Sequence, residues 1–153
     1  VEAGSTLEPV VRLMESTARN RKVELVSELG NKVPEIWADP DQLKQIVLNL
    51  ILNAIEASPA GGQVSLTITE GEDATVVIEV RDQGPGIPAE QQEHIFDPFF
   101  TTKETGTGLG LALVHQMIVE HGGNIDVDSA PGRGTAFRVV LPKAEVALAP
   151  TGT

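Results

Sequence analysis

The segment from Asp39 to Gly62 constrains the fold more than any other part of the chain, because both ends of one long helix are marked in it. Asp39 is a favourable N-cap, Pro40 stands where its missing N–H costs nothing, and Gln42 completes a capping box. The pattern predicts a helix to about Ser58, ended by the Pro-Ala-Gly-Gly run that closes at Gly62. Leu, Ile and Val are dense on both flanks of its polar face, so a central position in the fold is expected.

The other elements are single helices separated by strands that come in pairs. A further short extended piece is predicted at residues 36–38. Strands that arrive as hairpins indicate an α+β fold, with helices packed on one face of a mixed sheet. Helices are predicted at residues 7–20, 88–94 and 109–121, and strands at 23–29, 63–69, 75–80, 125–127 and 135–141.

The length of 153 residues predicts one domain, placed at residues 7–142. Thr6 is the expected N-cap of the first helix, residues 1–6 are expected to be a linker remnant, and residues 143–153 a disordered tail. The chain begins Val-Glu-Ala-Gly without an initiator Met, so it is expected to be a fragment of a longer protein.

Composition excludes several classes of function. The absence of cysteine rules out disulfides, a thiolate zinc site and a Cys nucleophile. The net charge of −11 argues against a nucleic-acid backbone or an anionic membrane as partner. No stretch approaches the ~20 apolar residues that span a bilayer. A cytoplasmic location is expected because the chain has no cysteines, which mark proteins of oxidising compartments.

A polar face runs along the central helix. Asn is a poor helix former, so its two occurrences there are unusual for a solvated surface. The face is compatible with solvent contact or with a ligand-facing row whose amide oxygens bind a hard cation such as Mg²⁺. The residues that share this face are Gln42, Gln45, Asn49, Asn53 and Glu56.

A first glycine motif, Asp82-Gln83-Gly84-Pro85-Gly86, follows a predicted strand. Glycines there allow the backbone to come close to a flat ligand or to turn with a positive φ angle. An Asp at a strand end accepts a hydrogen bond from an exocyclic amine, or it forms an Asx-turn before a bend. The residues alone leave both interpretations open.

A second glycine run, at residues 106–110, opens directly into a helix. Free N–H groups and the positive end of the helix dipole form a phosphate cradle there, although a flexible loop is the alternative. The run lacks the Gly-Lys-Ser/Thr of a Walker loop and the leading strand of a Rossmann fingerprint. Lys103 would supply positive charge to a triphosphate, or it is a solvated loop residue.

Taken in order, the motifs resemble the catalytic ATP-binding domain of bacterial sensor histidine kinases. This domain belongs to a superfamily that also contains gyrase, the Hsp90 chaperones and MutL. The resemblance runs from about Thr6 to Leu141, and the runs at residues 53–57 and 99–103 are similar to the nitrogen-regulation type of sensor kinase. The motifs are Asn49 with Asn53, Asp82-x-Gly84-x-Gly86, Phe96 with Phe99-Phe100, Gly106-x-Gly108-x-Gly110, and Gly132-x-Gly134-Thr135.

The resemblance implies a two-layer α/β sandwich of the Bergerat type. Its sheet would be mixed and mostly antiparallel, with three main helices on one face and a flexible ATP lid. ATP and Mg²⁺ are the implied cofactors, with Asn53 as the metal ligand, Asp82 as the acid that binds the adenine amine, and Thr135 nearby through water. The lid, over residues 98–108, is expected to be disordered without nucleotide.

The residue roles implied by the resemblance form two groups. The catalytic residues would be Asn49, Asn53 and Lys103. The nucleotide-binding residues would be Asn53, Asp82, Gly84, Gly86, Ile87, Phe96, Lys103, Gly106, Thr107, Gly108, Leu109, Gly110, Leu111 and Thr135.

The chain departs from the kinase pattern in two places. Many sensor kinases carry Lys where this chain has Glu56, which puts one phosphate contact in doubt. None of the three histidines stands in the phosphoacceptor box of the family, His followed by Glu or Asp and then Pro. The resemblance therefore implies that the acceptor histidine lies on a separate dimerisation domain of the parent protein, with a response regulator downstream.

Three alternatives share the glycine motifs. ATP-hydrolysing relatives use a Glu base one turn before the metal-binding Asn, a position that Asn49 occupies here. A protein-serine kinase of the superfamily and a nucleotide-sensing module without turnover are the other two.

Overall fold

The computed structural model describes residues 3–29, 35–36, 38–92, 94–96, 110–130 and 132–143. The helices are α1 (Ala3–Asn20), α2 (Pro40–Ala57), α3 (Ala89–Gln92) and α4 (Gly110–Glu120). The strands are β1 (Glu24–Glu28), β2 (Gln63–Glu70), β3 (Thr75–Asp82), β4 (Asn124–Ser129) and β5 (Thr135–Pro142).

The five strands form one sheet in the order β1-β2-β3-β5-β4. Strand β1 runs parallel to β2, and each remaining neighbouring pair is antiparallel. The predicted α+β class and the mixed, mostly antiparallel sheet are confirmed. The parallel pairing of β1 places a helix, α2, in the crossover between β1 and β2, as such a connection requires.

One face of the sheet is apolar because its strands alternate. Ile78 of β3 lies opposite Ile68 of β2 and Val139 of β5, and these side chains are at most 3% exposed. Helices α1 and α2 pack on each other, α2 packs on α4, and each of the three contacts a strand. The predicted packing of three main helices on one side of the sheet is confirmed.

Helix α2 has the predicted N-terminus. The Asp39 side chain accepts hydrogen bonds from the backbone N–H groups of Asp41 and Gln42, at 2.9 and 3.1 Å. In the predicted capping box, the Gln42 side chain would accept a hydrogen bond from the Asp39 N–H, but this N–H has another acceptor. The Asp39 N–H donates to Nε2 of His121, at 3.2 Å, so the reciprocal part of the capping-box prediction is wrong.

Helix α1 starts at Ala3, four residues before the predicted start. Thr6 therefore lies inside the helix instead of capping it, and residues 3–6 are helical where a linker was predicted. Burial accounts for the difference, since Ala3 and Leu7 lie one turn apart and are both fully buried. Tertiary packing extends the helix through residues whose own propensity for helix is low.

The remaining boundaries shift by a few residues. Helix α3 is confined to Ala89–Gln92, and β4 extends the short predicted strand to Asn124–Ser129. Ile36 forms an isolated bridge with Lys143, so the ordered domain includes at least one residue that was assigned to the tail. Residues 144–153 lie outside the described part of the chain.

Candidate functional site

A buried carboxylate ends strand β3. Asp82 is only 4% exposed, and its Oδ1 accepts a hydrogen bond from the Gly84 N–H at 2.8 Å. Burial raises the pKa of Asp82, while hydrogen bonds from the backbone N–H groups of Gly84 and Thr135 partly offset that rise. Within the described residues, no cation forms an ion pair with this carboxylate. A buried acid held only by backbone donors keeps acceptor capacity for a ligand.

Two glycines allow the chain to close tightly around Asp82. A Cβ at Gly84 would stand 2.6 Å from the carbonyl oxygen of Ala57, at the end of α2. A Cβ at Gly134 would stand 2.3 Å from the carbonyl oxygen of Asp82, and Gly134 has a φ of +77°. Both positions therefore require glycine because of contacts within the protein. Of the two predicted reasons for the glycines after β3, positive φ holds at Gly86, whose φ is +82°, and close approach to a flat ligand stays a prediction.

The loop after Asp82 is tied to the end of β4. The Gly132 N–H donates to the Pro85 carbonyl at 2.7 Å, and the Ile87 N–H donates to Ser129 Oγ at 2.8 Å. The Gln92 side-chain amide donates to the carbonyl oxygens of Ile87 and Ser129, at 2.8 and 3.0 Å. These hydrogen bonds fix the loop that carries Gly84, Gly86 and Ile87 in its position next to Asp82.

Ser129 and Gln92 were missed by the sequence reasoning. Ser129 is the last residue of a strand and Gln92 the last residue of a four-residue helix, positions at which polar residues are ordinary. Their importance depends on partners 37 to 42 positions away in the chain, which no local pattern reveals.

The polar face of α2 is partly covered. Asn49 and Asn53 are half-buried, whereas Gln42 and Gln45 are exposed, and the Gln45 side-chain amide donates to Asn49 Oδ1 at 3.3 Å. Asn53 lies one helical turn before Ala57, whose carbonyl faces Gly84. Asn53 therefore lies one turn from the point where α2 meets the Asp82 loop, and its role toward a ligand stays a prediction.

Phe96 packs against α4 and β5. Its ring stacks on that of His115 of α4, with centroids 5.3 Å apart, and meets Phe137 of β5 edge-on at 6.3 Å. His115 thus has a packing contact with the Phe96 ring. Phe96 fixes the start of the segment that leads to the second glycine run.

Of the second glycine run, Gly110 lies within the described residues. Gly110 begins α4, and Leu111 is half-buried against the core. Lys103, Gly106, Thr107, Gly108 and Leu109 lie outside the described residues, as does the predicted lid over residues 98–108. Their assignment to the phosphates stays a prediction.

His121 links the two helices that flank the site. Its ring is 7% exposed, its Nδ1 lies 2.7 Å from the Met117 carbonyl, and its Nε2 accepts from the Asp39 N–H. Both bonds form together only in the neutral tautomer with the proton on Nδ1. His121 thereby joins the C-terminus of α4 to the N-terminus of α2, a role that its spacing in the sequence does not reveal.

The donor set available for a metal is small. In the part of the chain that the structure describes, no three His, Asp or Glu side chains converge on a common point. The amide oxygen of Asn53 is a hard donor, and Mg²⁺ in nucleotide sites commonly uses one or two protein oxygens together with phosphates and water. The residues present therefore fit a magnesium ion that arrives with a nucleotide.

Within the described residues, no helix is long and apolar enough to cross a membrane.

Residues 38–145 match the model of the family described as histidine kinase-, DNA gyrase B- and HSP90-like ATPases. The sensor histidine kinase ZraS of Escherichia coli (strain K12) is 44% identical over 142 residues. That alignment covers 93% of this chain and 30% of ZraS, so the chain spans less than a third of this curated relative.

Solved structures of histidine kinases are also similar to this chain. The nucleotide-free catalytic domain of the histidine kinase ThkA superposes with a TM-score of 0.83 at 36% identity, over 94% of this chain and 93% of that domain. A complex of ThkA with the response regulator protein TrrA gives 0.79 at 33% identity, over 94% of this chain and 41% of that one. Full-length ShkA in complex with AMPPNP gives 0.86 at 33% identity, over 94% of this chain and 30% of ShkA. The chain belongs to the family of histidine kinase-, DNA gyrase B- and HSP90-like ATPases.

Proposed function

We propose that this chain is the catalytic ATP-binding domain of a two-component sensor histidine kinase. It transfers the γ-phosphoryl group of ATP to a histidine on a separate dimerisation domain of the parent protein, in the reaction ATP + protein-His → ADP + phospho-His. A response regulator then receives the phosphoryl group. The relatives that support this proposal are the sensor kinase ZraS and the ThkA complex with its regulator.

The observation that carries the proposal is the environment of Asp82. A carboxylate that is 4% exposed and held only by backbone donors is costly to bury unless it serves a ligand. The exocyclic amine of adenine is a donor that such an acceptor binds well. Gly84 and Gly134 let two further backbone segments close around this carboxylate, since a Cβ at either position would stand within 2.6 Å of a backbone oxygen.

The phosphates would lie toward the polar face of α2 and the N-terminus of α4. Asn53 would hold magnesium, which when bound neutralises phosphate charge, and Asn49 would support it one turn earlier. The first N–H groups of α4 have no partners within the helix, and they favour an anion. Lys103 and residues 106–109 are proposed to complete the contacts with the triphosphate, and Phe96 to anchor the lid against α4.

Phosphoryl transfer needs positioning and charge stabilisation more than covalent chemistry from the protein. No general base on this chain is required for the proposed transfer, since the incoming imidazole is itself the nucleophile. Asn49 is an amide and takes no proton at neutral pH, and its oxygen already accepts from Gln45. This disfavours ATP hydrolysis as the main activity. The cytoplasmic location follows from the kinase assignment and is part of the proposal.

Two measurements test the proposal. Thermal unfolding with Mg-ATP at about 100 times its dissociation constant is expected to show about 2.7 kcal/mol of added stability, whereas Mg-GTP adds little.

In the second measurement, radiolabelled ATP is added together with the dimerisation domain of the parent protein. An acid-labile phosphoprotein supports histidine transfer, an acid-stable product supports a serine kinase, and released phosphate without a phosphoprotein supports an ATPase. ATP binding without turnover supports the nucleotide-sensing alternative.

A further inference from the structure

The hydroxyl of Ser129 contacts three segments of the chain that lie near Asp82. Ser129 Oγ is 2.8 Å from the Ile87 nitrogen, 2.9 Å from the Gly134 carbonyl oxygen and 2.9 Å from Thr135 Oγ1. These partners come from the loop after β3, the turn before β5 and the first residue of β5.

Counting hydrogens fixes the direction of each bond. A serine hydroxyl has one hydrogen and two lone pairs, the Ile87 N–H only donates, and the Gly134 carbonyl only accepts. Ser129 therefore gives its hydrogen to Gly134, and the contact with Thr135 uses the hydrogen of Thr135. The reverse assignment removes the bond to Gly134, so the arrangement that keeps all three bonds is favoured.

This arrangement fixes the orientation of the Thr135 hydroxyl. Its hydrogen points at Ser129, so its hydroxyl presents lone pairs to any other partner. Thr135 lies directly opposite Asp82 in the β3–β5 register, is 6% exposed, and gives its backbone N–H to the Asp82 carboxylate. Two side-chain acceptors without a hydrogen to offer thus stand next to each other.

We propose that Ser129 is a positioning residue that sets the choice of base. Because Ser129 accepts the hydroxyl hydrogen of Thr135, the Thr135 hydroxyl and the Asp82 carboxylate together form an edge that offers only hydrogen-bond acceptors. Such an edge binds a purine with an amino group at position 6, directly or through one water that donates to Thr135. It disfavours a purine with a carbonyl oxygen there. The proposal rests on the proposed function, because it specifies how the same site selects its nucleotide.

Gln92 keeps this arrangement in place. Its amide donates to the backbone carbonyls of both Ile87 and Ser129. Ile87 is therefore held at its N–H by the Ser129 hydroxyl and at its carbonyl by Gln92. Ser129 is consequently fixed in position as well as in hydrogen-bond direction.

The test compares ATP with inosine triphosphate, which differs only in the base and carries the carbonyl at position 6. Dissociation constants for both, with magnesium, are measured by calorimetry on the wild-type chain and on Ser129→Ala. The variant frees the Thr135 hydroxyl to rotate and donate. The preference for ATP over inosine triphosphate is expected to fall about tenfold, mostly through tighter binding of inosine triphosphate, with ATP affinity changed less than threefold.

Thr75→Ala is the matched control. It removes another hydroxyl-to-carbonyl hydrogen bond, from Thr75 Oγ1 to Glu72, at the opposite end of β3. It is expected to lower the melting temperature and leave the nucleotide preference unchanged.

Equal weakening of both nucleotides by Ser129→Ala would show a merely structural role and overturn the proposal, as would an unchanged preference. If Ser129→Ala does not fold, Thr135→Val removes the hydroxyl that Ser129 orients while keeping the side-chain shape, and it must also lower the preference for ATP for the proposal to stand. Failure of the wild-type chain to bind ATP is a separate result, which refutes the proposed function itself.

Discussion

Strand β3 carries two carboxylates, three residues apart, whose surroundings are opposite. Glu79 lies on the sheet face away from the helices and accepts hydrogen bonds from Arg138 Nε at 2.9 Å and Arg81 Nε at 3.2 Å. Asp82 lies at the strand end, buried, with backbone donors only. Burial acts to raise the pKa of both acids.

The balance differs because only Glu79 has cations beside it. Hydrogen bonds and charge from Arg138 and Arg81 together outweigh burial, so the pKa of Glu79 is lowered. At Asp82 burial prevails over two backbone hydrogen bonds, and the pKa is raised. The comparison teaches that two acids on one strand differ in pKa because only one has cation partners, and the acid without them is the better candidate for a ligand.

The largest expected effect is on nucleotide binding. Asp82→Asn removes the charged acceptor and turns an NH₂ group toward the donors that Asp82 now accepts from. ATP affinity is expected to fall about 100-fold, within the range for a lost hydrogen bond to a charged group, and the discrimination between ATP and GTP is expected to disappear. Calorimetric titration measures both, and circular dichroism checks that the fold persists.

Glu79→Gln is the matched control on the same strand, with the same change of acid to amide. It is expected to keep ATP affinity within twofold. Unchanged ATP affinity in Asp82→Asn would remove Asp82 from the site and leave the two carboxylates with the same structural role.

The next effect is on stability, and it concerns the close approach to Asp82. Gly134→Ala places a Cβ 2.3 Å from the Asp82 carbonyl oxygen, at a φ of +77°. Gly132→Ala has nearly the same φ, +79°, but meets nothing within 4 Å among the described residues. Strain at positive φ costs about 1 kcal/mol in both, and the clash adds about 2 kcal/mol in Gly134→Ala alone. Chemical denaturation measures the difference, and equal losses would contradict the close approach.

Whether a feature could be predicted from the sequence depends on how far apart in the chain its interacting residues lie. Helix α2 was predicted from Asp39 and Pro40, and the apolar strand faces from their alternation, because both signals are local. The position of Asp82 and the glycines beside it also followed from a strand end and a short motif. The family resemblance then supplied the order of the site residues.

What could not be predicted depends on contacts distant in sequence. The placement of β5 between β3 and β4, and the early start of α1 at Ala3, are decided by packing. Ser129 and His121 have no distinguishing neighbours in the chain, and their roles come from partners 42 and 82 positions away. A sequence pattern therefore predicts candidate binding residues, but not the residues whose long-range hydrogen bonds position them.

A smaller effect is expected at the paired acid. Glu79→Gln weakens two ion pairs whose arginine side chains are 44% and 52% exposed, so solvent screens much of the interaction. The loss of stability is expected to stay below about 1 kcal/mol, and to shrink further in high salt. Denaturation at low and high ionic strength measures it. A loss that is larger, or that salt does not reduce, would mean that Glu79 contributes more than a screened surface pair.

The smallest effect, and the one that separates the two acids most sharply, is the sign of their pH dependence. Lowering the pKa of Glu79 in the folded state makes its charged form stabilising. That contribution is complete above the ordinary Glu value of 4.5 and is lost as pH falls through the lower folded value. Raising the pKa of Asp82 does the reverse. The folded protein binds this proton more tightly than the unfolded chain, so stability falls as pH rises from the ordinary Asp value of 3.8 through the higher folded value.

Amide variants isolate each contribution, since they do not titrate. The stability of the wild type minus that of Glu79→Gln is expected to increase with pH through the acid range. The stability of the wild type minus that of Asp82→Asn is expected to decrease with pH. Urea denaturation without nucleotide, at intervals between about pH 3 and 7, measures both differences on the same chain. Slopes of the same sign would mean that the two carboxylates share one kind of environment, and the structural distinction between the paired acid and the binding acid would fail.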